Sequence, residues 1–181
     1  MKTALISIIV FVSLVQIGQG QMLSRQVKSL EGTPNFFVFS DIYARNEIYL
    51  GIIDKTWLKT KVELACRKSG IAVVDYYLQT MLRINLHVMR LDTKEVFGDY
   101  YFYTISLSVV DLVVMSRAVT NKIIAGEPWE NTSTVEAITW SYSYLGGSPK
   151  KDFQDAMSDM VSDLMDTFIN DYLAANPKDD G

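Results

Sequence analysis

Residues 148–173 read SPKKDFQDAMSDMVSDLMDTFINDYL, with apolar side chains at Phe153, Ala156, Met157, Met160, Val161, Leu164, Met165, Phe168, Ile169, Tyr172 and Leu173. These positions advance by threes and fours, so they return to one face of a helix at every turn. The opposite stripe is acidic: Asp152, Asp155, Asp159, Asp163 and Asp166. No other segment carries so large an apolar stripe, and the rest of the chain must supply a surface that buries it. Gly146-Gly147 reads as a break before this helix, Ser148 as its cap and Pro149 as its first residue.

The covering surface is read from alternation. Leu82, Ile84, Leu86 and Val88 point one way, and Arg83, Asn85, His87 and Met89 the other, which predicts a strand with one core face. A second long strand places Tyr101, Tyr103, Ile105, Leu107 and Val109 on one face, with Tyr100, Phe102, Thr104, Ser106 and Ser108 opposite. The apolar phase then slips by one to Val110, Leu112 and Val114, and such a slip predicts a β-bulge or bend near Val109–Asp111. Residues 135–145 alternate again, with Ile138, Trp140, Tyr142 and Tyr144 against Thr139, Ser141 and Ser143.

Earlier in the chain, 35–43 (NFFVFSDIY) is rich in strand formers, and 44–53 has no clean period and reads as a connection. Asp54 can cap a helix that buries Leu58, Val62 and Ala65, flanked by Trp57 and Leu64, and that ends at Gly70. Residues 71–75 (IAVVD) read as a short buried strand. The order predicts an α+β two-layer sandwich: a mostly antiparallel sheet of four to five strands with two helices on one face.

Residues 1–20 have the form of a secretory signal, with Lys2, an apolar run from Ala4 to Val15, and a Gly18-Gln19-Gly20 cleavage site. Residues 21–34 are a mixed leader segment of unassigned order, 35–176 a single domain, and 177–181 a polar tail. Cleavage after Gly20 leaves 161 residues with 16 basic and 21 acidic side chains, a formal charge of −5. No second run of about 18 apolar residues follows, so no transmembrane segment is expected in the mature chain. The expected location is periplasmic or secreted. Asn131-Thr132-Ser133 has the form of a glycosylation acceptor, which matters only in a eukaryotic source.

Composition removes several functions. An acidic chain without a block of Lys or Arg is a poor binder of nucleic acid. Cys66 is the only cysteine, so no internal disulfide can form, and its apolar neighbours predict a buried thiol. His87 is the only histidine; zinc spacings, nucleotide loops and the nucleophile-elbow pattern are all missing. A Cys66–His87 dyad would need an inner helix position to meet the polar face of a strand. No catalytic residue, metal or cofactor is therefore assigned. The acidic stripe has no calcium-loop spacing and reads as the solvated side of its helix.

One surface is left to carry function. If the apolar sides of the long strands meet the helices, then Arg83, Asn85, His87, Thr104, Ser106, Thr139 and Ser141 share the far side, beside Tyr100 and Phe102. The plain alternative is a solvent-facing sheet, but aromatics exposed on a sheet face favour contact with a partner.

Ala137-Ile138-Thr139-Trp140, the helix-to-strand piece Val62-Glu63-Leu64 to Gly70-Ile71, and the ending Phe168-Ile169-Asn170-Asp171-Tyr172-Leu173-Ala174-Ala175-Asn176-Pro177-Lys178 resemble a group of exported bacterial proteins. These share a signal peptide, a "TW" strand and an FINDYLAxNPK-like helix end, with no assigned activity. The layout is also similar to small envelope domains such as the amino-terminal domain of the Tol–Pal β-propeller protein, at the level of fold only. Export and the absence of a catalytic set point to a non-enzymatic domain of the bacterial cell envelope that binds a protein or envelope component through the free sheet face or an exposed strand edge. The alternatives are a small-molecule carrier or weak hydrolase with a pocket between sheet and helices, and a self-associating structural subunit.

Overall fold

The computed structural model describes residues 25–44, 53–76, 80–93, 98–114 and 134–177. The expected signal, the acceptor-like Asn131-Thr132-Ser133 and the end of the expected polar tail lie outside these residues. Seven elements follow in order: β1 (Asn35–Ala44), α1 (Lys55–Lys68), β2 (Ala72–Val74), β3 (Thr80–Thr93), β4 (Gly98–Val114), β5 (Thr134–Pro149) and α2 (Phe153–Ala175). They form an α+β fold with one five-stranded sheet in the order β2-β1-β3-β4-β5, and both helices cover the same face. The sheet is mostly antiparallel along β3, β4 and β5. It is nevertheless mixed, because β1 runs parallel to both β2 and β3. The parallel step needs a crossover, and α1 supplies it.

Local chemistry explains the first helix. Asp54 accepts a 2.7 Å bond from the Trp57 N–H, satisfying one orphan donor of the first turn. Gly70 ends the helix at φ +77°, where a side chain would be strained. Leu58, Val62 and Cys66 face the core, so Cys66 takes the place expected for Ala65, which packs at the margin. Residues 71–75 were expected to be a buried strand. Ile71 is buried, but β2 is a three-residue edge strand whose side chains are exposed or half-buried.

Helix α2 is held along its length. Phe153 meets Tyr101 and Tyr103 edge-on at 5.0 and 5.4 Å, and Phe168 meets Trp140 and Phe36 at 5.3 and 5.4 Å. Trp140 Nε1 donates to Asp171 at 2.9 Å, so the indole is satisfied inside the apolar layer. The five aspartates of the acidic stripe are all exposed. Residues 25–28 are helical, and the turn after them belongs to the core: Leu30 is fully buried, and Tyr172 donates to the Thr33 carbonyl at 2.8 Å. Asn176 caps α2 by bonding Leu30 and Gly32 through its side chain.

The start of α2 differs from expectation. Ser148 and Pro149 are the last residues of β5, a 3-10 turn over Lys150–Asp152 follows, and the helix begins at Phe153. Gly146 and Gly147 do not break the chain; they are paired strand residues opposite Tyr103 and Phe102. A Cβ at Gly146 would lie 2.7 Å from the Tyr103 ring and from Met160 Cε, and one at Gly147 would lie 2.8 Å from the Tyr100 ring. Rings lying over the strand on both sides are what require glycine here.

The expected irregularity is present between Val109 and Val110, where the register shifts. The extra residue lies on the partner strand. Val109 faces Trp140 and Val110 faces Ile138, leaving Thr139 as the bulged residue of β5. Trp140 consequently faces the core while Ile138 turns to the other side and is 65% exposed. Val110 is buried on that other side, outside the main core.

Candidate functional site

Register and alternation build the face turned away from both helices row by row. At one end stands Phe37–Met81–Val110–Ile138, followed by Phe39–Arg83–Ser108–Ser141. The middle row is polar: Asp41–Asn85–Ser106–Ser143. Beyond it come Tyr43–His87–Thr104–Leu145 and Met89–Phe102–Gly147, with Tyr100 opposite Pro149 at the far end. The face is thus a polar waist between two apolar ends.

The sequence-derived residues Arg83, Asn85, His87, Tyr100, Phe102, Thr104, Ser106 and Ser141 all lie on this face. Thr139 does not join them. As the bulged residue, it directs its hydroxyl to Asp111 Oδ2 at 3.1 Å, and Asp111 alternates with Val110 and so points to the helix side. Its carbonyl accepts from Ser29 Oγ at 2.8 Å.

The structure adds residues that the sequence reading missed. Tyr43, Met89 and Leu145 join His87, Phe102 and Thr104 around an open depression of about 290 Å³. Leu145 is 80% exposed and Tyr43 52%. The alternation of β1, with Phe36 and Val38 inward and Phe37, Phe39, Asp41 and Tyr43 outward, carried a signal for Tyr43. Leu145 closes the expected strand 135–145, and the same alternation puts it on the face of Ser141 and Ser143.

Contacts order this end of the face. The Tyr43 and His87 rings stack at 4.7 Å with 17° between their planes, and Tyr100 lies against Phe102 at 5.3 Å. Asp41 bridges to Lys55 and accepts from the Tyr43 hydroxyl. The Lys55 ammonium, followed by the Tyr43 bond, holds the Asp41 carboxyl down at about 2, and the same bond raises the Tyr43 phenol above its ordinary value. At the opposite end, Arg83 bonds Glu136 at 2.7 Å while lying over the Phe39 ring. A second depression there is lined by Phe37, Phe39, Met81, Arg83, Leu112 and Glu136.

Little in this geometry resembles a reaction centre. Cys66 is in the core on the helix side, and burial pushes its thiol up to about 12. His87 is exposed on the opposite side of the sheet, so the two cannot form a dyad. Among the described residues, no three His, Cys, Asp or Glu side chains gather as a metal site would require. No described helix is long and apolar enough to cross a membrane.

No family model matches the chain, and no curated protein matches it. Among solved structures, the chain is similar to one described as a minor lipoprotein from Acinetobacter baumannii. That match has 8% identity and a TM-score of 0.35, covering 80% of this chain and 93% of the other. At that score the likeness carries no argument about function.

Proposed function

We propose that the chain is an exported, non-enzymatic domain of the bacterial cell envelope that binds a protein or other envelope component through the uncovered face. Binding centres on the end marked by Tyr43, His87, Phe102 and Leu145. The observation that carries this reading is the group of aromatic and apolar side chains left open around a depression on a face that neither helix covers. Exposed apolar groups concentrated in one place mark contact surfaces. A depression this open suits a macromolecular surface better than a small substrate, which a site normally encloses. The signal-like first 20 residues support export, and the separation of Cys66 from His87 supports a non-enzymatic role.

A photo-crosslinking side chain placed at Phe102 or Met89 in cells tests the reading, with the same group at Asp159 on the acidic stripe as the control. The first two positions should give a discrete product heavier than a dimer of the chain, and the control none. Equal products from all three positions, or none from Phe102 and Met89, would refute it.

A further inference from the structure

The two edges of the sheet are built differently. On one side β2 is only three residues long, and the part of β1 that extends beyond it is guarded by the Asp41–Lys55 ion pair and by Ser40, which donates to the Lys55 carbonyl. Short edge strands and charges are the ordinary protection against pairing with another chain. On the other side β5 runs for 16 residues, and among the described residues it pairs only with β4. Twelve successive residues of that edge, Ala137 to Ser148, contain neither charge nor proline. The same strand carries Leu145 and Ile138, the two most exposed large apolar side chains of the described residues.

We propose that a second copy of the chain pairs antiparallel along β5, with the two-fold axis at Tyr142. An antiparallel strand pair between identical chains is isologous, so one residue must face itself. The pattern of β5 selects which one. Placing the axis at Tyr142 sets Ser141 opposite Ser143 of the second copy, and Trp140 opposite Tyr144. Just beyond this five-residue ladder the bulge at Thr139 absorbs one position, which brings Ile138 beside Leu145 of the second copy on the uncovered face. Moving the axis to Ser143 would set Ser141 against Leu145 and leave Ile138 unmatched. Hydrophobic pattern fixes register in this way wherever apolar groups can be buried by only one pairing.

The bulge also limits the ladder. The Thr139 carbonyl is already taken by Ser29, so pairing starts at Trp140 and does not compete with that bond. No acidic side chain of 140–144 meets its own copy, although the chain as a whole is acidic. The two uncovered faces become one surface of ten strands. The inference goes beyond the binding reading, since it concerns the strand edge and names the chain itself as the partner; Leu145 belongs to both surfaces, so the links at Tyr142 and Ser143, outside the binding end, tell the two apart.

Cysteine cross-linking tests both the pairing and its register. The chain from Gln21 onward should sediment as a dimer, and Leu145→Lys, at an exposed position, should shift it to monomer with the fold retained. Facing Cα atoms in an antiparallel pair lie about 4.5–5.5 Å apart, within disulfide range. Mild oxidation should therefore link Tyr142→Cys to itself, and Ser141→Cys to Ser143→Cys when the two variants are mixed. The buried Cys66 leaves the readout clean. A parent chain that is monomeric at every concentration overturns the proposal, as does a Ser143→Cys variant that links to itself in preference to Tyr142→Cys.

Discussion

On the helix side of β3, Leu82, Ile84, Leu86 and Val88 are buried, whereas on the other side of the same strand Arg83, Asn85, His87 and Met89 run from half-buried to exposed. The strand is identical for both sets; what differs is the layer laid over it. Helices α1 and α2 seal one face with Leu58, Val62, Met157, Leu164 and Phe168. On the other face Met81, Ser108 and Val110 are buried towards one end, while Tyr43, Met89, Phe102 and Leu145 at the other end stay exposed.

The sharpest way to break this comparison is to truncate one large side chain on each face. Trp140→Ala should cost about 3–5 kcal/mol, from a cavity beneath Phe168 and the loss of the bond to Asp171. Met89→Ala on the open face, where the side chain is 45% exposed, should stay within about 0.5 kcal/mol. Urea unfolding of both variants measures the gap, and comparable losses would mean that the open face is itself part of the core.

The adjacent glycines repeat the comparison at smaller scale. Gly146→Ala forces a methyl between Tyr103 and Met160 on the sealed side and should cost about 1–3 kcal/mol. Gly147→Ala meets only Tyr100 and Phe102, which can swing outward on the open side, and should cost under about 1 kcal/mol. A reversed order would show that the Tyr100–Phe102 pair is fixed as firmly as the core.

The smallest effect concerns Asp41 on the open face. Its carboxyl titrates at about 2 in the fold against an ordinary 3.8, so its contribution is fully present above about pH 4 and is lost as pH falls through 2. The Lys55 side chain that holds it is 60% exposed, and solvent screening limits the contribution to about 0.2–1 kcal/mol. Comparing the acid limb of unfolding in the parent chain and in Asp41→Asn reads this directly. A variant with an unchanged limb would remove Asp41 from the account of acid stability.

Much of the architecture was legible because it is written in short periods. The alternations of 82–88 and 101–109 named their buried residues correctly. The three-four spacing of 153–173 named six buried and four half-buried residues but also Leu173, which is 39% exposed. Each face of an element is set by residues a few positions apart. The slip at Val109–Val110 was legible for the same reason. Its location was not: the extra residue is on β5, because a bulge belongs to a pair of strands and either partner can carry it. Eight of the nine candidate residues fell on one face, while Tyr43, Met89 and Leu145, which complete its most exposed end, were left out.

The sequence by itself determined which side of each regular element avoids water, because that preference depends only on side-chain chemistry and backbone repeat. The tertiary structure decided which strands are neighbours and in what direction. It decided that Gly146 and Gly147 lie inside a strand under aromatic rings, and that Ile138 and Trp140 point opposite ways. Those outcomes depend on hydrogen bonds and ring contacts between residues dozens of positions apart, to which a local period is blind.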